Sequence, residues 1–157
     1  MLEHKPLYEA MRQAVNQTLE NMAFTEVMDH YDPNYEIPED QLTWCSLLIS
    51  DPVQGEVRLA MSKDLTKKLT VAIFALDPEE ISQAQMDDTL HELLNTIAGL
   101  FMTNLLTDNQ TFQLGLPEAG EGNLPELEEN AVTWKLMTDD EDPLQIFAVG
   151  APLVALN

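Results

Sequence analysis

One stretch of the chain, from Asp87 to Leu106, constrains the fold more than any other: DDTLHELLNTIAGLFMTNLL. Laid on a helix at about 100° per residue, it separates into an apolar face and a polar face. The apolar face forms a stripe that is wide enough to bury against a sheet or another helix. Its members are Leu90, Leu93, Leu94, Ile97, Phe101 and Leu105, with Ala98 at the margin. The stretch therefore predicts an amphipathic helix packed on the core.

The polar face carries a line of four residues, Asp88, Glu92, Asn95 and Gly99, which we refer to as the ridge. Residues spaced three or four apart are neighbours on a helix surface. A glycine on an exposed helix face costs about 1 kcal/mol relative to alanine, so its presence calls for a reason. Close approach of another molecule to the backbone is one such reason. Ordinary solvated surface is the alternative, because these residue types often occur on outward faces by chance.

The length and the charge of the chain limit its organisation and its partners. A chain of 157 residues suits one domain over 1–157 with a core of its own. Its formal charge of -21 would repel nucleic acid and anionic membrane surfaces, so neither is expected as a partner. The sequence lacks a signal-peptide pattern, and no apolar run approaches the roughly 18 residues of a membrane span. We therefore expect a cytoplasmic protein.

The familiar catalytic motifs are missing from the sequence. Cys45 is the only cysteine, and its setting in LTWCSLLI predicts a buried strand thiol rather than a nucleophile. His4, His30 and His91 lack the paired spacing of a zinc site, so we expect no metal centre in this chain. We expect His91 to flank the ridge as a surface residue. No glycine-rich phosphate loop and no nucleophile elbow is visible.

The rest of the sequence predicts two further helices and five strands. The spacing indicates an amphipathic helix over residues 6–23, a loop over 30–41, and a helix that begins after an N-cap at Ser62. Ser82 and Gln85 form a candidate capping box for the central helix. Strands are predicted at Leu42–Ile49, Val53–Met61, Thr111–Leu116, Ala131–Met137 and Leu144–Val149, with an acidic loop over 117–130. This order predicts an α+β fold with helices packed on a mainly antiparallel sheet of about five strands.

The ridge also carries a resemblance. The pattern Asp88-x-x-x-Glu92-x-x-Asn95, followed by IAG and about twenty residues later by Pro117, resembles the signature of the CheC, CheX and FliY family of chemotaxis phosphatases. The resemblance covers roughly Leu42 to Val149, and the single copy of the motif is most similar to CheX-type members. It implies a CheC-like fold and a homodimer.

The resemblance further implies dephosphorylation of a phosphorylated response regulator of the CheY type. By this likeness Asn95 would orient the attacking water and Glu92 would pair with a lysine of the regulator. Asp88 would be auxiliary, and Gly99 would let the partner approach. A carboxamide is too weak a base to take a proton but can hold a water in line, as a glutamine does in GTPases. Magnesium would belong to the partner's active site, and this chain would need no cofactor of its own.

Two other readings of the ridge are open at this point. The chain could be a non-catalytic adaptor that binds a response regulator, or a flagellar or signalling component, through the same helix face. It could also be an acidic interaction domain in which the ridge is solvated surface.

Overall fold

A computed structural model describes residues 5–122, 124 and 130–156 of the chain. Within these residues the backbone forms four helices and seven strands, together with short 3-10 turns at Glu39–Gln41 and Pro78–Glu80. The helices are α1 (Lys5–Ala23), α2 (Lys63–Phe74), α3 (Gln83–Leu105) and α4 (Ala151–Val154). The strands are β1 (Val27–Asp29), β2 (Leu42–Asp51), β3 (Gly55–Ser62), β4 (Gln113–Leu114), β5 (Glu118–Glu121), β6 (Val132–Thr138) and β7 (Pro143–Val149).

The strands form one sheet in the order β1-β6-β7-β3-β2-β4, and β5 also pairs with β2. Every pairing is antiparallel. This arrangement confirms the predicted α+β class with helices on an antiparallel sheet. The number of strands was underestimated, since the sheet has seven rather than about five.

Two strands account for the difference in number. β1 has three residues, too few for a period-2 pattern to be recognised. β5, with the sequence EAGE, lies inside the predicted acidic loop over 117–130 and corrects that prediction for its first part; residues 123 and 125–129 of the loop lie outside the described residues. Its glycine and glutamates disfavour a strand, so pairing with β2 determines its conformation. β4 covers only Gln113–Leu114 of the strand predicted over Thr111–Leu116.

The main core lies between the helices and one face of the sheet. Alternate residues of β2 point into it, namely Cys45, Leu47 and Ile49. The predicted stripe of α3 is buried there, apart from Leu105, which is half-buried. A smaller cluster on the opposite face of the sheet contains Ile37, Leu42, Ala60, Phe147 and Val149. The helices therefore form one layer over the sheet, with α3 in close contact with both α1 and α2.

The predicted cap of α2 is present, because the Ser62 hydroxyl accepts a hydrogen bond from the Leu65 amide at 3.1 Å. The prediction for Cys45 is also confirmed, since this thiol is fully buried in β2. None of the helices that the structure describes is long and apolar enough to cross a membrane.

Candidate functional site

The helix that carries the ridge, α3, begins at a complete capping box. The Gln85 amide donates to the Ser82 hydroxyl at 3.2 Å, and the Ser82 amide donates to the Gln85 side chain at 2.9 Å. These reciprocal bonds satisfy two of the amides that a helix start leaves unpaired. The predicted cap is therefore confirmed, and it fixes where the 23-residue helix begins.

The core and two polar contacts hold α3 in one rotational setting. The hydroxyl of Thr89 lies 2.9 Å from that of Thr70 on α2, and both threonines are buried. Near the other end, the Asn104 side chain donates to the Ala10 carbonyl of α1 at 3.2 Å. Because the apolar stripe is buried between these contacts, the opposite side of the helix has to face outward.

The side chains of the ridge project from that outward side. Asp88, Glu92 and Asn95 are all exposed. Within the described part of the chain none of the three side chains makes a hydrogen bond or an ion pair. The structure thus places the three predicted residues in one accessible line, with their polar atoms available to another molecule.

Gly99 continues the line, and the fold of this chain does not require a glycine there. A Cβ added at this position would meet no heavy atom within 4 Å beyond its chain neighbours and its own helix backbone. The glycine is helical, so it is not needed for an unusual backbone conformation either. Neither packing nor backbone conformation among the described residues thus accounts for a residue that weakens the helix.

One neighbour of the ridge was not predicted from the sequence. Thr103 is exposed one turn beyond Gly99, and its hydroxyl donates to the Gly99 carbonyl at 2.8 Å. The i+4 spacing from Gly99 could have indicated this residue, because it places Thr103 next on the same face. Threonine on a helix surface is common, however, and carries no chemical signal of its own.

His91 differs from its predicted position at the surface. Its side chain is half-buried, and its Nε2 atom is buried with no hydrogen-bond partner among the described residues. On the helical wheel, position 91 falls between the ridge and the apolar stripe, which explains the partial burial. His91 therefore flanks the ridge, as predicted, but it is half-buried rather than a surface residue.

The chemistry available on this surface is limited to positioning and charge. Burial, followed by the charge of Asp87, raises the pKa of the Cys45 thiol to about 12, so this group cannot act as a thiolate nucleophile near neutral pH. Among the described residues no cluster of His, Cys, Asp or Glu could hold a metal ion. An exposed carboxylate and a carboxamide one turn apart can instead orient a water or a partner's cation.

The fold is similar to those of several solved chemotaxis proteins. A CheX from Desulfovibrio desulfuricans matches with a TM-score of 0.70 at 15% identity, over 90% of this chain and 97% of that one. CheX from Vibrio vulnificus matches with a TM-score of 0.71 at 14% identity, over 91% and 95%. The CheX-CheY-BeF3-Mg²⁺ complex from Borrelia burgdorferi matches with a TM-score of 0.69 at 15% identity, over 91% and 96%. At these identities the likeness shows the fold alone.

Comparison with curated protein sequences finds no match. The family described as chemotaxis phosphatase CheX, in contrast, matches residues 45–138, which is more than half of the chain and includes the whole of α3. The chain therefore belongs to the CheX family of chemotaxis phosphatases.

Proposed function

We propose that this protein accelerates hydrolysis of the aspartyl phosphate of a CheY-type response regulator. The observation that carries the proposal is the ridge of α3, whose polar side chains are exposed and have no partner among the described residues. Membership of a phosphatase family supports the reaction type. A solved complex of a related CheX with CheY supports the choice of partner.

In this proposal Asn95 enters the partner's active site and orients the attacking water. A carboxamide both donates and accepts hydrogen bonds, so it can hold a water in line with the phosphorus atom without taking its proton. Positioning of this kind contributes to catalysis because phosphoryl transfer requires little covalent chemistry from the protein.

Glu92 and Asp88 have the docking roles. The Glu92 carboxylate pairs with a lysine of the regulator, and Asp88 adds negative charge one turn away on the same line. Magnesium, like the phosphorylated aspartate, belongs to the regulator in this scheme. The chain then contributes an amide, two carboxylates and an unobstructed stretch of backbone at Gly99.

A phosphate-release assay on phosphorylated CheY-type regulators tests the proposal. The wild-type protein should accelerate release, and Asn95→Ala should abolish the acceleration while retaining binding to the regulator. Asn109→Ala is a matched control, because Asn109 is exposed just beyond α3 and does not lie on the ridge. Full activity of Asn95→Ala would overturn the assignment of the water-positioning residue.

The same assay separates catalysis from simple binding. If the wild-type protein binds a regulator tightly and phosphate release is not accelerated, the adaptor function replaces the phosphatase. Glu92→Gln should raise KM more than it lowers kcat, since a docking contact is made in both the ground state and the transition state.

Three further expectations are independent of this assay. We propose a homodimer on the basis of the resemblance, and sedimentation equilibrium of the purified protein tests it. A cytoplasmic location is likewise a proposal, which fractionation of cells would examine. Organisation as one domain over 1–157 predicts a single cooperative unfolding transition.

A further inference from the structure

The charge of the chain changes sharply along the ridge helix α3, and the segment that leads into the helix continues the charge of its first half. From residue 77 to residue 92 the chain has six acidic residues and no Lys or Arg. From residue 93 to residue 107 it has no charged residue at all. Three of the acidic residues lie on α3, namely Asp87, Asp88 and Glu92, and three precede it, namely Asp77, Glu79 and Glu80. The ridge therefore changes from negative to uncharged at Asn95.

The negative half is not neutralised by ion pairs within the described part of the chain. Ion pairs there involve other acids, such as Asp29, Glu56, Glu121 and Asp142. None of the six acidic residues forms an ion pair there; Asp87 accepts a hydrogen bond from the Gln83 side chain at 3.0 Å, whereas Asp88 and Glu92 have no such bond. An incoming surface with Lys or Arg would thus find carboxylates at this half that are not already paired.

The uncharged half can be covered by apolar atoms at little cost. The exposed Thr103 hydroxyl already donates to the Gly99 carbonyl at 2.8 Å, so its hydrogen atom has an acceptor inside the chain. Burying a hydroxyl whose donor is satisfied avoids the main penalty of desolvating a polar group. With no side chain at Gly99, this half offers a smooth, uncharged surface next to Asn95.

We propose that the partner's contact surface follows α3 past Gly99 as far as Thr103, in a fixed direction. Lys or Arg residues of the partner lie over Asp88 and Glu92, and an uncharged, closely packed surface lies over Gly99 and Thr103. From Asp88 to Thr103 this face extends about 22 Å along the helix axis. The partner's identity as a regulator rests on the proposed function, whereas the direction of docking rests on the charge pattern of α3.

A binding titration tests the uncharged half. The probe is a CheY-type regulator activated with beryllofluoride, titrated with this protein in an Asn95→Ala background, so that catalysis is not needed. Adding Thr103→Lys should raise Kd at least tenfold, because it brings a long charged side chain into the uncharged contact. Thr111→Lys is the matched control, since it adds the same charge at an exposed threonine outside α3 and should leave Kd within twofold.

A second variant separates a direct contact from a change in the helix. Thr103→Val keeps the shape and removes the hydroxyl that faces Gly99, so binding should stay within twofold. A tenfold loss with Thr103→Val would overturn the proposal that the hydroxyl serves only this chain. Equal Kd values for Thr103→Lys and Thr111→Lys would show that the docking face ends before Thr103.

Salt dependence tests the charged half. Raising NaCl from 50 to 200 mM should weaken binding of the Asn95→Ala protein, and Glu92→Gln should reduce that dependence. Binding that does not respond to salt would overturn the cationic part of the proposal. If no regulator is dephosphorylated by the wild-type protein but Thr103→Lys still weakens binding, the proposed function fails and the docking direction remains.

Discussion

Two glycines of this protein are in opposite surroundings. At Gly120 in β5 an added Cβ would lie 2.7 Å from the Cε2 atom of Trp44, inside the space that the indole occupies. That ring cannot easily move, since its Nε1 donates to the Gly122 carbonyl at 2.9 Å. At Gly99 in α3 an added Cβ would meet nothing within 4 Å.

The comparison distinguishes a glycine that the fold requires from a glycine that the fold does not require. Gly120 is explained by the close packing of β5 on β2, so the chain itself needs it. Gly99 has no such explanation among the described residues, although it weakens the helix. A position where the chain forgoes stability without a packing reason points to contact with another molecule.

The largest effect on stability is expected at Gly120, where an added carbon would contact Trp44. Gly120→Ala should lower the free energy of unfolding by about 1–3 kcal/mol, the usual cost of forcing an extra carbon into a packed site. Urea unfolding followed by circular dichroism measures it. In a Trp44→Leu background, Gly120→Ala should cost less stability than it does in the wild type, because the smaller side chain leaves room for the added carbon. If Gly120→Ala is as stable as the wild type, the fold does not require a glycine at this position.

A substitution at Gly99 should have the opposite effect on stability. Gly99→Ala should raise the free energy of unfolding by about 1 kcal/mol, the difference in helix propensity between the two residues. The same change should weaken binding to the regulator about tenfold, a cost of about 1.4 kcal/mol. Unfolding and binding are measured on one preparation. A variant that is more stable and binds equally well would show that the glycine is not needed for clearance.

A smaller effect on stability is expected from the Cys45 thiol at high pH. Cys45 pairs with Ala119 across β2 and β5, and burial raises its pKa from 9.0 to about 12. Between these values the unfolded chain loses the thiol proton first, so stability falls as the pH rises. Between pH 8 and pH 9.5 this thiol should lower the free energy of unfolding by about 0.8 kcal/mol. Comparing urea unfolding of the wild type with Cys45→Ala isolates it, and parallel pH curves would contradict the burial of the thiol.

The parts of the fold that local chemistry determines could be predicted from the sequence. The central helix follows from the spacing of its apolar residues, and its start follows from Ser82 and Gln85. The exposure of Asp88, Glu92 and Asn95 follows from the same periodicity, because burying one face directs the other to solvent. The roles of these residues cannot be derived in this way and depend on the resemblance.

The parts that tertiary contacts determine could not be predicted. The sequence of β5 has poor strand propensity, and only its pairing with β2 makes it a strand. The half-buried state of His91 depends on what packs beside α3, which the periodicity of one helix does not describe. The bond from Thr103 to Gly99 was also missed, since a surface threonine has several possible acceptors.

The anchoring of α3 through Thr89 and Asn104 has a thermodynamic consequence for association. Because the backbone of the helix is ordered before any partner arrives, docking does not have to supply the entropy of folding a segment. Within this chain, the loss on docking is then the rotamer freedom of Asp88, Glu92 and Asn95, at about 0.5–1.5 kcal/mol for each side chain. Less of the contact free energy is therefore lost to ordering, so a partner could bind this face through few contacts.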